Sequence, residues 1–161
     1  MTAKDAFEKS ITHCRWLGIP ISWSGNKSGK DSTQCFFVLN SPAKLWASTS
    51  QLCNWEDNFK GAFKISLYFK KDEQVTWEMV AALLHEIGHV TDFRENMFLL
   101  NRKMGDDERA ANQQALKIAN VIDVPKNKIE NYLRKFITNY KLAMNQFRKD
   151  IKKAAKVAHG A

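Results

Sequence analysis

The chain has 161 residues, 44% of them apolar and 11% aromatic, with a formal net charge of +8. That length suits one domain with a substantial core, and the apolar content excludes disorder throughout. No run reaches the ~18 apolar residues of a membrane span, and charges across residues 1–9 stand where a secretory leader needs an apolar block. Three cysteines (Cys14, Cys35 and Cys53) show no CxxC spacing, and an odd count argues against a disulfide framework. A soluble, cytoplasmic, reduced protein is expected.

The charge is unevenly placed. Residues 1–124 carry 15 basic and 15 acidic side chains, whereas residues 125–161 carry 10 basic and 2 acidic ones. The whole excess sits in the tail.

In chain order, residues 4–17 predict an amphipathic helix through Ala6, Phe7, Ile11, Cys14 and Leu17, stopped by Gly18 and Pro20. Short aromatic-rich runs at 21–23, 35–39, 44–48 and 62–69 predict strands, the last being the clearest alternation. The loop at 24–32 has Gly25, Gly29 and Lys30, but three residues separate the glycines and Asp31 follows the lysine. That spacing fails the phosphate-loop pattern and predicts an exposed hairpin loop. Thr76 is a suitable N-cap for a helix running to about Arg94, and a second helix covers about 108–122. Beyond Pro125, residues 128–157 predict a long helix. Its apolar stripe runs through Ile129, Leu133, Phe136, Tyr140, Met144, Phe147, Ile151 and Ala154, with lysines mostly off it. So continuous a stripe calls for something to cover it. The five tryptophans are expected to anchor the core.

The chemistry centres on His85-Glu86-Ile87-Gly88-His89, an HExxH motif. Shuffling 4 His and 8 Glu through this chain would produce it by chance about 0.4% of the time. Side chains four apart on a helix point the same way, so both imidazoles can converge on one zinc ion. Glu86 then stands where it can act as base toward a water on that ion. At about 100° per residue, His85 and His89 fall away from the core stripe of Val80, Leu83, Leu84 and Ile87. A catalytic zinc needs a third protein ligand. The metzincin continuation HxxGxxH is absent, because Asp92 replaces its glycine and Glu95 its histidine; the next histidine is His159. Carboxylates remain: Glu95, or Asp106, Asp107 and Glu108 at the start of the following helix.

With Glu108-Arg109-Ala110-Ala111-Asn112 after HExxH, residues 76–120 resemble the gluzincin-type metallopeptidases, most of all the small intracellular ones related to the ImmA/IrrE peptidases. The resemblance implies His85, His89 and Glu108 as zinc ligands and Glu86 as general base, with Asn112 orienting the first histidine. It also implies an edge strand before the metal helix that takes up extended substrate, here 62–69. A Tyr or His would stabilise the oxyanion; Tyr68, Tyr132, Tyr140, His13 and His159 all qualify by type.

The expected fold is therefore α+β and zincin-like: a small mixed sheet on the HExxH helix, then further helices. Residues 1–124 would form the metallopeptidase domain. Residues 125–161 would form a basic amphipathic helix packed on it. The expected activity is zinc-dependent hydrolysis of a protein or peptide substrate, with DNA or an acidic partner as possible contacts of the basic helix. The rival is a zincin-fold binding or sensor protein without proteolysis.

Overall fold

The computed structural model describes residues 1–23, 35–39, 47–52, 63–69, 74–96 and 106–160. The 24–32 loop, Trp46, Trp55 and Cys53 lie outside these residues. The fold is α+β. Helix α1 (Ala3–Trp16) precedes strands β1 (Ile21–Trp23), β2 (Cys35–Leu39), β3 (Ala47–Leu52) and β4 (Phe63–Leu67). Helices α2 (Trp77–Asn96), α3 (Asp106–Val121) and α4 (Glu130–Ala158) follow, with a 3₁₀ turn at Lys126–Lys128 before α4.

Helix α1 starts at a capping box: the Asp5 amide donates to Thr2 Oγ1 at 3.1 Å and the Thr2 amide donates to Asp5 Oδ2 at 3.1 Å. It ends at Gly18, whose φ of +72° lets the chain reverse while Ile19 N–H donates to the Cys14 carbonyl. The chain then enters β1, which pairs parallel to β4, with Ile21 opposite Ile65 and Trp23 opposite Leu67. β4 pairs antiparallel with β3, and β3 with β2, so the sheet order is β1-β4-β3-β2. β4 is thus an interior strand with ladders on both sides. The expectation that 62–69 offers a free edge for substrate is overturned, because its N–H and C=O groups are already engaged. Among the described residues, the outer strands of the sheet are β1 and β2.

β3 spans 47–52 rather than the expected 44–48. Its Ala-Ser-Thr-Ser-Gln-Leu sequence has little apolar alternation; pairing on both sides makes it a strand.

Helix α2 opens as expected on Thr76, whose hydroxyl accepts from the Met79 amide at 3.3 Å. It is the hub of the molecule, meeting α1, β3, β4, α3 and α4. Every side chain from Met79 to Val90 is buried, which a one-sided stripe did not foretell. Its C-terminal end is tied back to α1 by Arg94, whose Nη1 donates to the Leu17 carbonyl at 2.8 Å. Between α1 and the sheet, Phe7, Trp23 and Phe69 form a cluster of edge-on rings with centroids 5.4–5.9 Å apart. Trp23 and Trp77 pack against the core, but Trp16 is 79% exposed, so the expectation that all five tryptophans anchor the interior fails there. Cys14 is buried with its sulfur toward the Ile19 carbonyl, and burial pushes its thiol up to about 12. It is inert at neutral pH.

Ile129, Leu133 and Phe136 bring the start of α4 into the core. From residue 145 to 158 every side chain is exposed, including Phe147 at 57% and Ile151 at 52%. The expected stripe is real, but its cover fades along the helix: Ile129, Leu133 and Phe136 are buried, Tyr140 and Met144 half-buried, and the rest exposed. Among the described residues, no helix is long and apolar enough to cross a membrane.

Candidate metal centre

The site lies where α2, α3 and α4 meet. His85 and His89 stand one turn apart on α2, their rings edge-on with centroids 4.6 Å apart. Glu108 reaches them from the first turn of α3. Its Oε2 is 2.8 Å from His85 Nε2 and its Oε1 is 3.4 Å from His89 Nε2. One ligand atom from each of the three residues can be chosen so that all lie within 4.8 Å of one another, and all three residues are buried. Glu86 is fully buried beside them.

α3 can approach this closely because Gly88 has no side chain. A Cβ there would run into the backbone carbonyl of Ala111. Gly88 faces Ala111 one turn from Glu108, so the absence of that carbon sets how far the carboxylate reaches toward the histidines.

Asn112, one turn beyond Glu108, fixes the first imidazole. Its Nδ2 donates to the Leu133 carbonyl of α4 at 2.8 Å, which leaves Oδ1 to face His85 Nδ1 at 2.7 Å. The amide orientation is therefore set by α4, and the imidazole proton must sit on Nδ1, donated to Asn112. Nε2 consequently points a lone pair at Glu108 Oε2 across 2.8 Å. Two acceptors at that distance repel unless a cation lies between them, either a proton or a metal ion. At His89, Nε2 is buried without a hydrogen bond, its separation from Glu108 being too long and poorly aligned for one. A buried nitrogen in that state is costly to leave unsatisfied. A metal ion would answer both problems at once, and two imidazoles with one carboxylate are an ordinary donor set for a divalent transition metal.

The electrostatics agree. Burial raises the Glu108 carboxyl, but its short contact with His85 and the charges of both imidazoles overcome this and bring it to about 2. Burial alone would lower His89. The carboxylates of Glu108, Glu86 and Asp107 outweigh it and hold the imidazole above its usual value. The site is built to hold positive charge.

The other expected carboxylates are engaged elsewhere. Glu95 accepts from Gln114 Nε2 at 2.8 Å, Asp106 pairs with Arg109 at 2.8 Å, and Asp107 is exposed. Among the oxyanion candidates, His13 lies on α1 beside Trp16, His159 is exposed past the end of α4, and Tyr68 is buried after β4. Tyr132 packs against the core. Tyr140, one turn after Phe136, is half-buried; partial burial and then the Glu108 and Asp107 carboxylates raise its phenol.

Two participants were not singled out from sequence. Phe136 sets its ring 5.7 Å from that of His85, and the Leu133 carbonyl anchors Asn112. Phe136 belongs to a stripe readable only as core, and a backbone carbonyl has no side-chain signature.

No protein-family model, curated protein or solved structure matches the chain. What fold and site define is an α+β protein with a buried two-histidine, one-carboxylate cluster able to hold a metal ion.

Proposed function

We propose that the protein is a zinc-dependent peptidase of gluzincin type, acting on a protein or peptide substrate. The observation that carries this reading is a buried Glu86 next to a ligand triad whose histidine is oriented by Asn112. A site that only stiffened the fold would have no use for a buried carboxylate adjoining the ligands. A zincin-like architecture is supported by the order of parts: a mixed sheet, then the HExxH helix, then a helix supplying the carboxylate.

When bound, zinc supplies Lewis acidity that polarises a carbonyl and makes water a nucleophile near neutral pH. The chain does the rest. His85, His89 and Glu108 would hold the ion, and Asn112 Oδ1 keeps the His85 proton on Nδ1 so that Nε2 is free to ligate. The Glu86 carboxylate takes the proton of the attacking water and passes it to the departing amine. Tyr140, one turn beyond Phe136 on α4, is the candidate we choose to donate its hydroxyl proton in a hydrogen bond to the developing oxyanion. The Phe136 ring against His85 and the burial of all three ligand residues lower the local dielectric, which strengthens each of these interactions.

The test is Glu86→Gln. It should retain one bound zinc per chain and lose peptide hydrolysis by several orders of magnitude. Undiminished cleavage would sink the assignment. Metal binding with no cleavage by the wild type across a broad peptide library would favour the sensor reading instead.

A further inference from the structure

Two surfaces of this chain are apolar, uncovered and opposite in charge. The first is the far half of α4. At about 100° per residue, Met144, Phe147, Ile151 and Ala154 line one side, while Lys149, Lys152, Lys153 and Lys156 crowd the other. From residue 141 onward α4 carries six basic residues against Asp150 alone. The second is a groove of about 850 Å³ between α1 and the end of α3. Met1, Ile122 and the 79%-exposed Trp16 give it an apolar surface, and Asp5, Glu8 and Asp123 outnumber its two cations, Lys9 and the Met1 amino group. The Lys9 ammonium in that groove is already turned to the Ile122 carbonyl at 3.3 Å.

We infer that the exposed half of α4 from one molecule docks in the α1/α3 groove of a second copy. The same chain cannot fill its own groove with this segment. α4 is one unbroken helix, and residues 145–158, all exposed, carry the stripe about 21 Å onward. The stripe has the acid-rimmed apolar partner it needs in the groove of another copy of the same fold. Reciprocal exchange about a two-fold axis fills both grooves and closes the assembly as a dimer. Nucleic acid would answer the lysines but leave Phe147 and Ile151 in water. An anionic bilayer would answer the tail but leave the Trp16 groove unexplained.

The experiment uses the full chain in sedimentation equilibrium. Wild type should give about twice the 18.5 kDa of one chain, with a dissociation constant that rises roughly tenfold as salt screens the contact. A tail variant, Phe147→Glu with Ile151→Glu, should be monomeric, and so should a groove variant, Trp16→Ala with Glu8→Lys. All four positions are exposed, so circular dichroism should show both variants folded. Mixed one to one, the two variants should associate, because each supplies the half that the other lacks. Any of three results overturns the proposal: a monomeric wild type, a groove variant that still dimerises alone, or a mixture of two monomers. Phosphatidylserine vesicles or duplex DNA bound equally well by wild type and groove variant, with the wild type monomeric, would reassign the tail.

Discussion

Asn112 joins His85 to the carbonyl of Leu133, accepting from the imidazole at 2.7 Å and donating to α4 at 2.8 Å. Three helices are tied through one side-chain amide. Replacing it by leucine removes both bonds and leaves the buried His85 Nδ1–H without an acceptor, which costs about 1–3 kcal/mol. Asn112→Leu should therefore lower the melting temperature and weaken metal affinity by roughly 10–100-fold, as read by chelator competition. Asn112→Asp keeps the acceptor for His85 and loses the donor to Leu133. It should bind metal better than the leucine variant while remaining less stable than wild type. Equal affinities in the two variants would show that Asn112 does not orient the ligand.

The third ligand can be assigned by comparing carboxylates. Glu108→Ala should abolish stoichiometric metal binding in elemental analysis. Glu95→Ala, Asp106→Ala and Asp107→Ala should retain it, since those side chains are engaged with Gln114, paired with Arg109, or exposed. Loss of metal from the Glu95 variant alone would move the ligand to the end of α2.

Gly88→Ala sets two effects against each other. In a free helix the change would stabilise by about 1 kcal/mol. Here the new Cβ meets the Ala111 backbone, which cannot swing aside as a side chain could. Overpacking of this kind costs about 1–3 kcal/mol or more, so the variant should be less stable in urea. Because α3 must retreat, metal affinity should fall with stability. A more stable Gly88→Ala protein with unchanged affinity would refute the close approach.

For the metal-free protein, pH acts through two groups of opposite sign. Glu108, depressed from 4.5 to about 2, contributes stability present above pH 4.5 and lost as pH falls toward 2. His89, raised above 6.5, contributes stability present below 6.5 and lost as pH rises through its folded value. Metal-free stability should therefore peak between about 4.5 and 6.5. Metal competes with the same imidazole protons, so the loaded protein should be most stable above that window. Melting temperature against pH, with and without zinc, checks both curves; coincident curves would contradict a shared site.

The parts of this molecule that follow local periodicity were legible in its sequence. α1, α2 and α3 could be placed to within a few residues from apolar spacing, Thr76 and Gly18. Glu108 and Asn112 share a face of α3 because they are four apart. What could not be read depends on partners distant in the chain. The interior position of β4 follows from parallel pairing with β1, more than forty residues earlier, which leaves no mark on β4's own alternation. The role of Phe136 follows from where α4 lands, and its stripe looks the same whether a ring touches leucine or an imidazole. Trp16 sits at the last turn of an amphipathic helix, where type suggests burial and angular position decides exposure.

The dependence of Asn112 on Leu133 has a consequence for how the protein is made. A ribosome delivers His85 and His89 well before Leu133 and Phe136. Until those later residues emerge, the amide has no anchor, the first imidazole has no fixed tautomer, and one wall is missing. The emerging chain therefore carries its motif long before it carries its binding site. The metal capture proposed for this site would belong to the finished protein and be withheld from its incomplete forms.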